Sequence, residues 1–278
     1  MVTIPAPQLD DSIHLSASSV TTMTECPREF LFKYIRGCIP QDVSASLVFG
    51  SALHECLALF YNQLRQSKTE PSLSELTDLA AAVIDAPREI PIHFTKGETP
   101  DSLKKSAEAL LRVFLQQGAR PDHVLAVEHR ITIPLNNPVN GKLLPEALLG
   151  TLDLLIETAG KITIIDHKTC ARLDPDRTRS PDLQMSLYSW AVRQLLGVQS
   201  VDLSYQFLIR TKDPSVIVAP ISRFDEDREE RAALMQAASA SFWIETALRA
   251  EQPELALPKR HSWRCSSCGY RSMCAAQD

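Results

Sequence analysis

The sequence lacks three features, and each absence excludes a class of protein. No stretch approaches about 18 consecutive apolar residues, so the sequence predicts no membrane-spanning helix. Positive charge is not in excess, because 29 Lys and Arg face 34 Asp and Glu for a net charge of −5. That balance excludes a uniformly basic nucleic-acid binder and leaves only local basic surfaces. The first residues, MVTIPAPQLDDS, lack the basic and apolar segments that mark a secretory leader.

Cysteine usage also argues against a secreted protein. The seven cysteines are an odd number spread over 278 residues, which does not suit a disulfide framework. We therefore expect a reducing compartment and a cytoplasmic location. The distribution is uneven, however, since Cys265, Cys268 and Cys274 crowd together near the C-terminus.

Composition and patterning predict an α/β protein. Hydrophobic residues make up 44% and charged residues 23%, which suits a chain that buries a core and excludes disordered, collagen-like and coiled-coil classes. Helical signals dominate residues 1–120, where Thr99-Pro100 starts and Gly118 ends an amphipathic helix. Beyond residue 125, alternation and short apolar runs predict a sheet, including one strand half-buried on a single face at 201–209. The predicted strands are 125–133, 148–156, 161–166, 201–209 and 216–219, and further helices are predicted at 49–65, 180–197 and 228–250.

The most informative segment is a predicted hairpin that places two carboxylates face to face. If residues 159–160 form a two-residue loop, Asp153 lies opposite Asp166. Directly opposed residues have Cβ atoms about 4.5–5.5 Å apart, and two carboxylates placed there repel each other unless a cation such as Mg²⁺ or Mn²⁺ compensates. Lys168 follows Asp166 by two residues and so points to the same face. The alternative is a solvent-facing Asp153 and an ordinary strand end, which does not explain an aspartate inside the apolar run 152–156.

These residues resemble the Asp…(Asp/Glu)-x-Lys core of the PD-(D/E)xK nuclease superfamily, and the flanking sequence resembles its RecB-like branch. That branch has a Gly-x-x-x-His helix upstream, matched by Gly50-Ser-Ala-Leu-His54, and a Gln-x-x-x-Tyr helix downstream, matched by Gln184-Met-Ser-Leu-Tyr188. The motifs follow the family order over nearly the whole chain. The resemblance implies a restriction-endonuclease-like core, with a mixed central sheet flanked by helices, in a single domain over 1–278. Its parts would be a helical portion at 1–120, the nuclease core at 121–250 and a cluster-binding tail at 251–278.

The resemblance also implies a metal site. His54, Asp153 and Asp166 match metal ligands, and the backbone carbonyl of His167 would contribute another. Lys168 matches the catalytic lysine. A hydrogen-bonded core histidine is the alternative for His54. One departure is that Asp166 stands where this branch more commonly has Glu, and its shorter arm would change the metal distance.

Three further residues match the family less specifically. Gln184 and Tyr188 are four apart on a helix, so they would share one face and orient the lysine or a DNA strand. Packing in the core is the alternative for both. Glu128 matches an acidic residue often found on the preceding family strand, and an exposed glutamate without a role is its alternative.

The C-terminal cysteines predict a metal site that needs a fourth ligand from elsewhere in the chain. Zinc is the usual ion for Cys-x-x-Cys, but a zinc ribbon would show a second close pair, and none occurs. Members of the RecB-like branch hold a [4Fe–4S] cluster with one N-terminal and three C-terminal cysteines, and the resemblance implies such a cluster here, with a structural role. Its implied ligands are Cys26, Cys265, Cys268 and Cys274. The remaining Cys38, Cys56 and Cys170 are expected to be buried small residues.

The sequence therefore predicts a metal-dependent deoxyribonuclease. It would act as an exonuclease on single-stranded DNA or DNA ends, in DNA processing, repair or CRISPR adaptation. Any unwinding would come from a helicase or CRISPR adaptation partner, because no Gly-x-x-x-x-Gly-Lys-[Ser/Thr] motif occurs. Two alternatives stay open: a non-catalytic nuclease-like iron–sulfur module and a zinc-stabilised structural protein. The basic residues expected to contact DNA are Arg172, Arg177, Arg179, Lys259, Arg260, Arg264 and Arg271.

Overall fold

The chain forms two compact units in the computed structural model, which describes residues 13–276. Among the described residues, unit 1 comprises 43–129 and 151–224, and unit 2 comprises 13–42, 130–150 and 225–276. The segment considered above for a leader and the last two residues of the tail lie outside the described range. The single domain over 1–278 stays a prediction. Within residues 13–276, no helix is both long and apolar enough to cross a membrane.

The helices begin and end largely where local signals place them. Thr99 caps the helix at 100–117 by accepting the N–H of Ser102, and Gly118 follows its end. The helix predicted at 180–197 begins later, because the side chain of Asp182 accepts the N–H of Met185 and caps it there. The helices are α1 (Ala17–Glu25), α2 (Pro27–Phe30), α3 (Ala45–Ser67), α4 (Leu73–Asp85), α5 (Pro100–Gln117), α6 (Leu183–Leu196), α7 (Glu226–Arg249), α8 (Pro253–Ala256) and α9 (Arg271–Ala275), with a π-helical turn at Leu31–Ile35 and 3₁₀ turns at Pro175–Thr178 and Trp263–Ser267.

The strands form the predicted mixed sheet. Their order is β3-β4-β5-β6-β7, in which β4 pairs antiparallel with β5, β5 parallel with β6, and β6 antiparallel with β7. A separate parallel pair joins β1 and β2. The α/β class and the mixed sheet flanked by helices are thus confirmed. The strands are β1 (Val43–Ser44), β2 (Ile92–His93), β3 (His123–Asn136), β4 (Leu143–Thr158), β5 (Lys161–Cys170), β6 (Asp202–Ile209) and β7 (Ser215–Pro220).

The prediction that β6 has one solvent-facing side is wrong. Every residue of β6 after Asp202 is buried, including the polar Ser204 and Gln206. Because consecutive residues of a strand point to opposite faces, this continuous burial means that both faces of β6 are covered, and α5 is one of the elements that contact it. The cost of burying the Gln206 amide is offset in part, because its Oε1 accepts a hydrogen bond from the Tyr61 hydroxyl at 3.0 Å.

The core of unit 1 lies between the long helices and the sheet. Aromatic side chains of α3 and α5 meet at its centre, where the Phe60 and Phe114 rings pack edge to face with centroids 4.9 Å apart. This core supports α3 along its length and so fixes the face of α3 that carries His54. Fully buried members include Leu53, Leu57, Phe60, Tyr61, Leu76, Leu110, Leu111 and Phe114.

Candidate active site

The β4–β5 hairpin brings two aspartates together. Leu154 pairs with Ile165, and the loop residues at 159–160 both have positive φ, as a two-residue turn requires. This register places Asp153 opposite Asp166, directly beyond the paired segment, as the sequence predicted. Both carboxylates are buried, with 9% of Asp153 and 2% of Asp166 exposed.

A group of metal-binding atoms forms around Asp153. His54 of α3, Glu128 of β3 and Asp153 each offer one ligand atom, and the three atoms lie within 4.8 Å of one another. Nδ1 of His54 is 3.4 Å from Oε1 of Glu128 and 3.7 Å from Oδ1 of Asp153. The carbonyl oxygen of His167 lies 3.1 Å from Nε2 of His54. These four residues therefore present nitrogen and oxygen donors of the kind that Mg²⁺ and Mn²⁺ sites use.

The backbone of Glu128 adopts an uncommon conformation. Its φ is 44°, in the left-handed region, although the residue is part of β3. Such a conformation costs a non-glycine residue on the order of 1–3 kcal/mol and often occurs at functional sites. In this conformation the Glu128 carboxylate is directed at His54. The contact favours a functional role for Glu128 over an incidental exposed position.

Lys168, Asp166 and Gln184 form a closed polar triangle. Nζ of Lys168 is 2.8 Å from Oδ2 of Asp166 and donates to Oε1 of Gln184 at 3.0 Å. Nε2 of Gln184 donates to Oδ1 of Asp166 at 2.7 Å. Gln184 thus bridges the acid and the base of the motif, and the Asp166 carboxylate is turned toward Lys168.

Tyr188 contacts the site region from α6. Its hydroxyl accepts the backbone N–H of Thr151 at 3.3 Å. Burial raises the pKa of Tyr188 to about 12, against opposing hydrogen-bond contributions from Thr151 and Gln184. The phenol therefore stays protonated, and it links α6 to the backbone of β4.

The electrostatics of the site favour a bound cation. Burial, and then the charge of Asp166, raise the pKa of Asp153 to about 7. Burial alone would lower the pKa of His54, but the hydrogen bond to Glu128 and the surrounding carboxylates outweigh it and raise the value to about 9. The protonated imidazole thus supplies the positive charge that these acids need. A divalent cation could take over that role.

One cavity of about 490 Å³ is lined by the predicted catalytic and divalent-metal residues except Tyr188. Residues of α3 that the sequence analysis did not single out also line it. They precede or follow Gly50 and His54 at helical spacing, and that period could have identified them. The lining includes Ser46, Leu47, Gly50, Ser51, His54, Glu55, Glu128, Asp153, Asp166, His167, Lys168, Thr169 and Gln184.

The four proposed cluster cysteines come together in unit 2. Cys26, Cys265, Cys268 and Cys274 line one cavity of about 150 Å³ and form no disulfides. Two backbone N–H groups donate to their sulfurs, from Ser262 to Cys265 at 3.5 Å and from Tyr270 to Cys268 at 3.4 Å. Cys56 is buried as predicted, whereas Cys38 and Cys170 are only partly buried.

Most basic residues proposed to contact DNA are engaged within the protein. Arg264 pairs with Glu25, and Arg271 lies 3.2 Å from Asp42. The guanidinium of Arg260 donates to a backbone carbonyl. Arg177 and Arg179 lie near Asp182 and Asp176, at 4.0 and 3.0 Å. Partly exposed ion pairs of this kind are worth about 0–1 kcal/mol, so a phosphate could replace the acid.

Comparisons with known proteins identify the family of the chain. The family model of the PD-(D/E)XK nuclease superfamily matches residues 14–275. A search of curated proteins finds no significant match. Among solved structures, a "putative exonuclease" from Eubacterium rectale is 13% identical with a TM-score of 0.56, over 93% of this chain and 98% of the other. A structure named SSO0001 is 14% identical with a TM-score of 0.41, over 98% of this chain and 90% of the other. The chain belongs to the PD-(D/E)XK nuclease superfamily.

Proposed function

We propose that this protein is a Mg²⁺- or Mn²⁺-dependent deoxyribonuclease of the RecB-like branch. The observation that carries the proposal is the convergence of His54, Glu128 and Asp153 beside Lys168 in one cavity. A bound divalent ion would polarise the scissile phosphate and lower the pKa of an attacking water. A non-catalytic module is disfavoured, because the acids and the lysine of the motif are all present and close together.

The side chains of the site would have distinct roles in catalysis. Asp153, Asp166, His54 and the backbone carbonyl of His167 would hold the cation with Glu128 beside them, and binding would release the protons held on Asp153 and His54. The ammonium of Lys168 stabilises negative charge that develops on the phosphate. Gln184 holds Lys168 and Asp166 in fixed relative positions through its two hydrogen bonds. The family resemblance implies products with 5′-phosphate and 3′-hydroxyl ends.

We infer further that the substrate is single-stranded DNA or a DNA end, cleaved as an exonuclease. The family membership and the fold shared with a "putative exonuclease" support this substrate class. We also propose a cytoplasmic location and a helicase or CRISPR adaptation partner, which would supply unwinding because the sequence contains no nucleotide-binding Gly-x-x-x-x-Gly-Lys-[Ser/Thr] motif.

The second part of the proposal is a [4Fe–4S] cluster held by Cys26, Cys265, Cys268 and Cys274. Its support is that all four thiols line one cavity of about 150 Å³. Backbone N–H groups directed at two of the sulfurs suit thiolate ligands, because hydrogen bonds to sulfur stabilise and tune such clusters. The cluster would cross-link residues far apart in sequence.

Digestion of end-labelled and circular DNA, single- and double-stranded, tests the nuclease proposal. With Mn²⁺ we expect cleavage of substrates with ends, and a rate loss of about 100- to 1,000-fold in Lys168→Ala. Lys161→Ala is the matched control, because Lys161 lies on the same strand and is exposed. Asp153→Asn should lose Mn²⁺ binding as well as cleavage.

Two results would contradict the nuclease proposal. Retention of full Mn²⁺-dependent cleavage by Lys168→Ala would remove the mechanism. A wild-type protein that binds Mn²⁺ and DNA but cleaves none of the four substrates would indicate the non-catalytic module instead.

A further inference from the structure

A buried polar cluster surrounds the imidazole of His167. The Tyr61 ring stacks on the His167 ring, with centroids 5.7 Å apart and planes 9° apart. The Tyr61 hydroxyl donates to Oε1 of Gln206 at 3.0 Å, and Gln206 lies beside His167 in the β5–β6 register. Exposure is 3% for His167 and 0% for Tyr61 and Gln206. No motif in the sequence indicates a role for Tyr61, for Gln206 or for the His167 side chain.

Simple packing does not explain this cluster. Nδ1 of His167 and Nε2 of Gln206 are buried and have no hydrogen-bond partner among the described residues. A buried donor or acceptor without a partner destabilises the fold, so stability alone would favour apolar side chains at both positions. Exceptions of this kind in a folded protein call for an explanation other than stability.

The backbone of His167 contacts two residues of the candidate cation site, and this gives a functional reason to hold the His167 side chain in place. Its N–H donates to Oδ2 of Asp153 at 2.7 Å, and its carbonyl oxygen lies 3.1 Å from Nε2 of His54. One residue of β5 thus contacts a β4 side chain through one peptide group and an α3 side chain through the other. The direction of a side chain is coupled to the backbone dihedrals of its residue. If the His167 imidazole is held in place, the two peptide groups that flank His167 are therefore held in place as well.

We propose that Tyr61 and Gln206 are positioning residues of the cation site. They hold the His167 imidazole between a stacked ring and a neighbouring amide, and this fixes the peptide groups that orient Asp153 and His54. Neither residue acts on the substrate directly. The inference rests on the proposed divalent-cation site, and it extends the machinery of that site into the core of unit 1.

Mn²⁺ affinity, measured by electron paramagnetic resonance of the free ion, tests the inference without DNA. We expect Gln206→Leu and Tyr61→Leu to weaken Mn²⁺ binding about 10- to 100-fold, as the loss of outer-sphere partners does elsewhere. Tyr61→Phe keeps the stacked ring and loses only the hydroxyl, so its loss should be smaller. Leu76→Ala is the control, because Leu76 is equally buried in the same core but lies on a different helix, α4.

A second measurement uses the metal-free protein. The His167 amide should exchange with solvent faster, relative to neighbouring β5 amides, in Gln206→Leu and Tyr61→Leu but not in Leu76→Ala. Variants that melt at lower temperature yet bind Mn²⁺ like wild type would overturn the inference, since the cluster would then be core packing only.

DNA cleavage by the same proteins separates the two proposals. If wild type binds Mn²⁺ and the variants lose affinity while none of them cleaves DNA, the positioning role stands and the nuclease proposal fails. If wild type binds no Mn²⁺, the positioning role fails, whatever the outcome of the cleavage assay.

Discussion

At the scale of single residues, protons offset the repulsion among the acids of the candidate site. Asp153 is mostly buried, and burial together with Asp166 raises its pKa to about 7. His54 carries the balancing charge, with a pKa of about 9 that results from Glu128 and the other carboxylates overcoming burial. The metal-free site is therefore an acid cluster stabilised by its own protons, and any cation must displace them.

This protonation predicts that the metal-free protein loses stability as pH rises. The folded protein holds a proton on Asp153 between about pH 4 and 7, and one on His54 between about pH 6.5 and 9, where the unfolded chain has released them. Each group then lowers the free energy of unfolding by no more than about 1.4 kcal/mol per pH unit. Urea unfolding in chelator at pH 5, 7 and 9 measures the effect.

Asp153→Asn isolates the contribution of Asp153. The fall in stability between pH 5 and 7 should be smaller in this variant than in wild type, because the amide does not titrate. Asp85→Asn changes an exposed carboxylate of α4 and serves as the control. An identical fall in wild type and Asp153→Asn would show that Asp153 is ionised throughout.

Individual site residues could be predicted from sequence where a local rule applied. The hairpin register brought Asp153 and Asp166 together, and the motif matches identified His54, Lys168 and Gln184. Roles that depend on tertiary contacts could not be predicted. The stacking of Tyr61 on His167 joins residues more than a hundred positions apart, and no local pattern in the sequence indicates it.

At the scale of elements, the β4–β5 turn determines which side chains meet in the site. Ala159 and Gly160 have φ values of 51° and 76°, so both occupy the left-handed region. Gly160 adopts it without strain, whereas Ala159 does not. A slip of one residue at this turn would send Asp153 to the opposite face of the sheet.

Substitutions in this turn should change stability in opposite directions. Ala159→Asn or Ala159→Gly is expected to raise the free energy of unfolding by about 0.5–1 kcal/mol, because either residue tolerates positive φ better than alanine. Gly160→Ala should lower it by about 1 kcal/mol through backbone strain alone, since nothing lies near the added methyl group. Urea titration measures both, and changes of the same sign would contradict this account of the turn.

The elements themselves were partly predictable. Most strands and helix caps could be predicted from local residue patterns. Helix α4 was not predicted, although Ser72 and Glu75 have the spacing of the capping box that they form. The alternating pattern of β6 led to the wrong prediction of a solvent-facing side. Alternation of polar and apolar residues is the same whether the polar face is solvated or is buried with residues such as Gln206. Whether a face of β6 is buried depends on tertiary packing, such as the contact with α5.

At the scale of the whole molecule, unit 2 is assembled from three segments that are distant in sequence. Leu15 donates its N–H to the carbonyl of Ala147, and the guanidinium of Arg28 donates to the carbonyl of Leu257 at 3.1 Å. A cluster that joins Cys26 to the C-terminal cysteines would reinforce the same connection by restricting the unfolded chain.

The cluster proposal predicts a brown protein. Cys26→Ala should abolish the visible absorbance and lower the free energy of unfolding by up to about 5 kcal/mol, because the cross-link closes a very long loop. Cys170→Ala is the matched control, since Cys170 is in unit 1 and should leave colour unchanged. Absorbance spectra with iron, sulfide and zinc analysis measure the effect. A colourless, aerobically stable protein with stoichiometric zinc would contradict the prediction.

The segmented construction of unit 2 also has a consequence for biosynthesis. The chain is made from its N-terminus, so residues 13–42 emerge long before residues 225–276, which contain Leu257 and the three C-terminal cysteines. Unit 2 can therefore close only after residues 225–276 have been synthesised. Until then the Cys26 thiol and the apolar side chains of α1 lack the partners that they have in the folded unit, so this part of the nascent chain is exposed while the rest is being made.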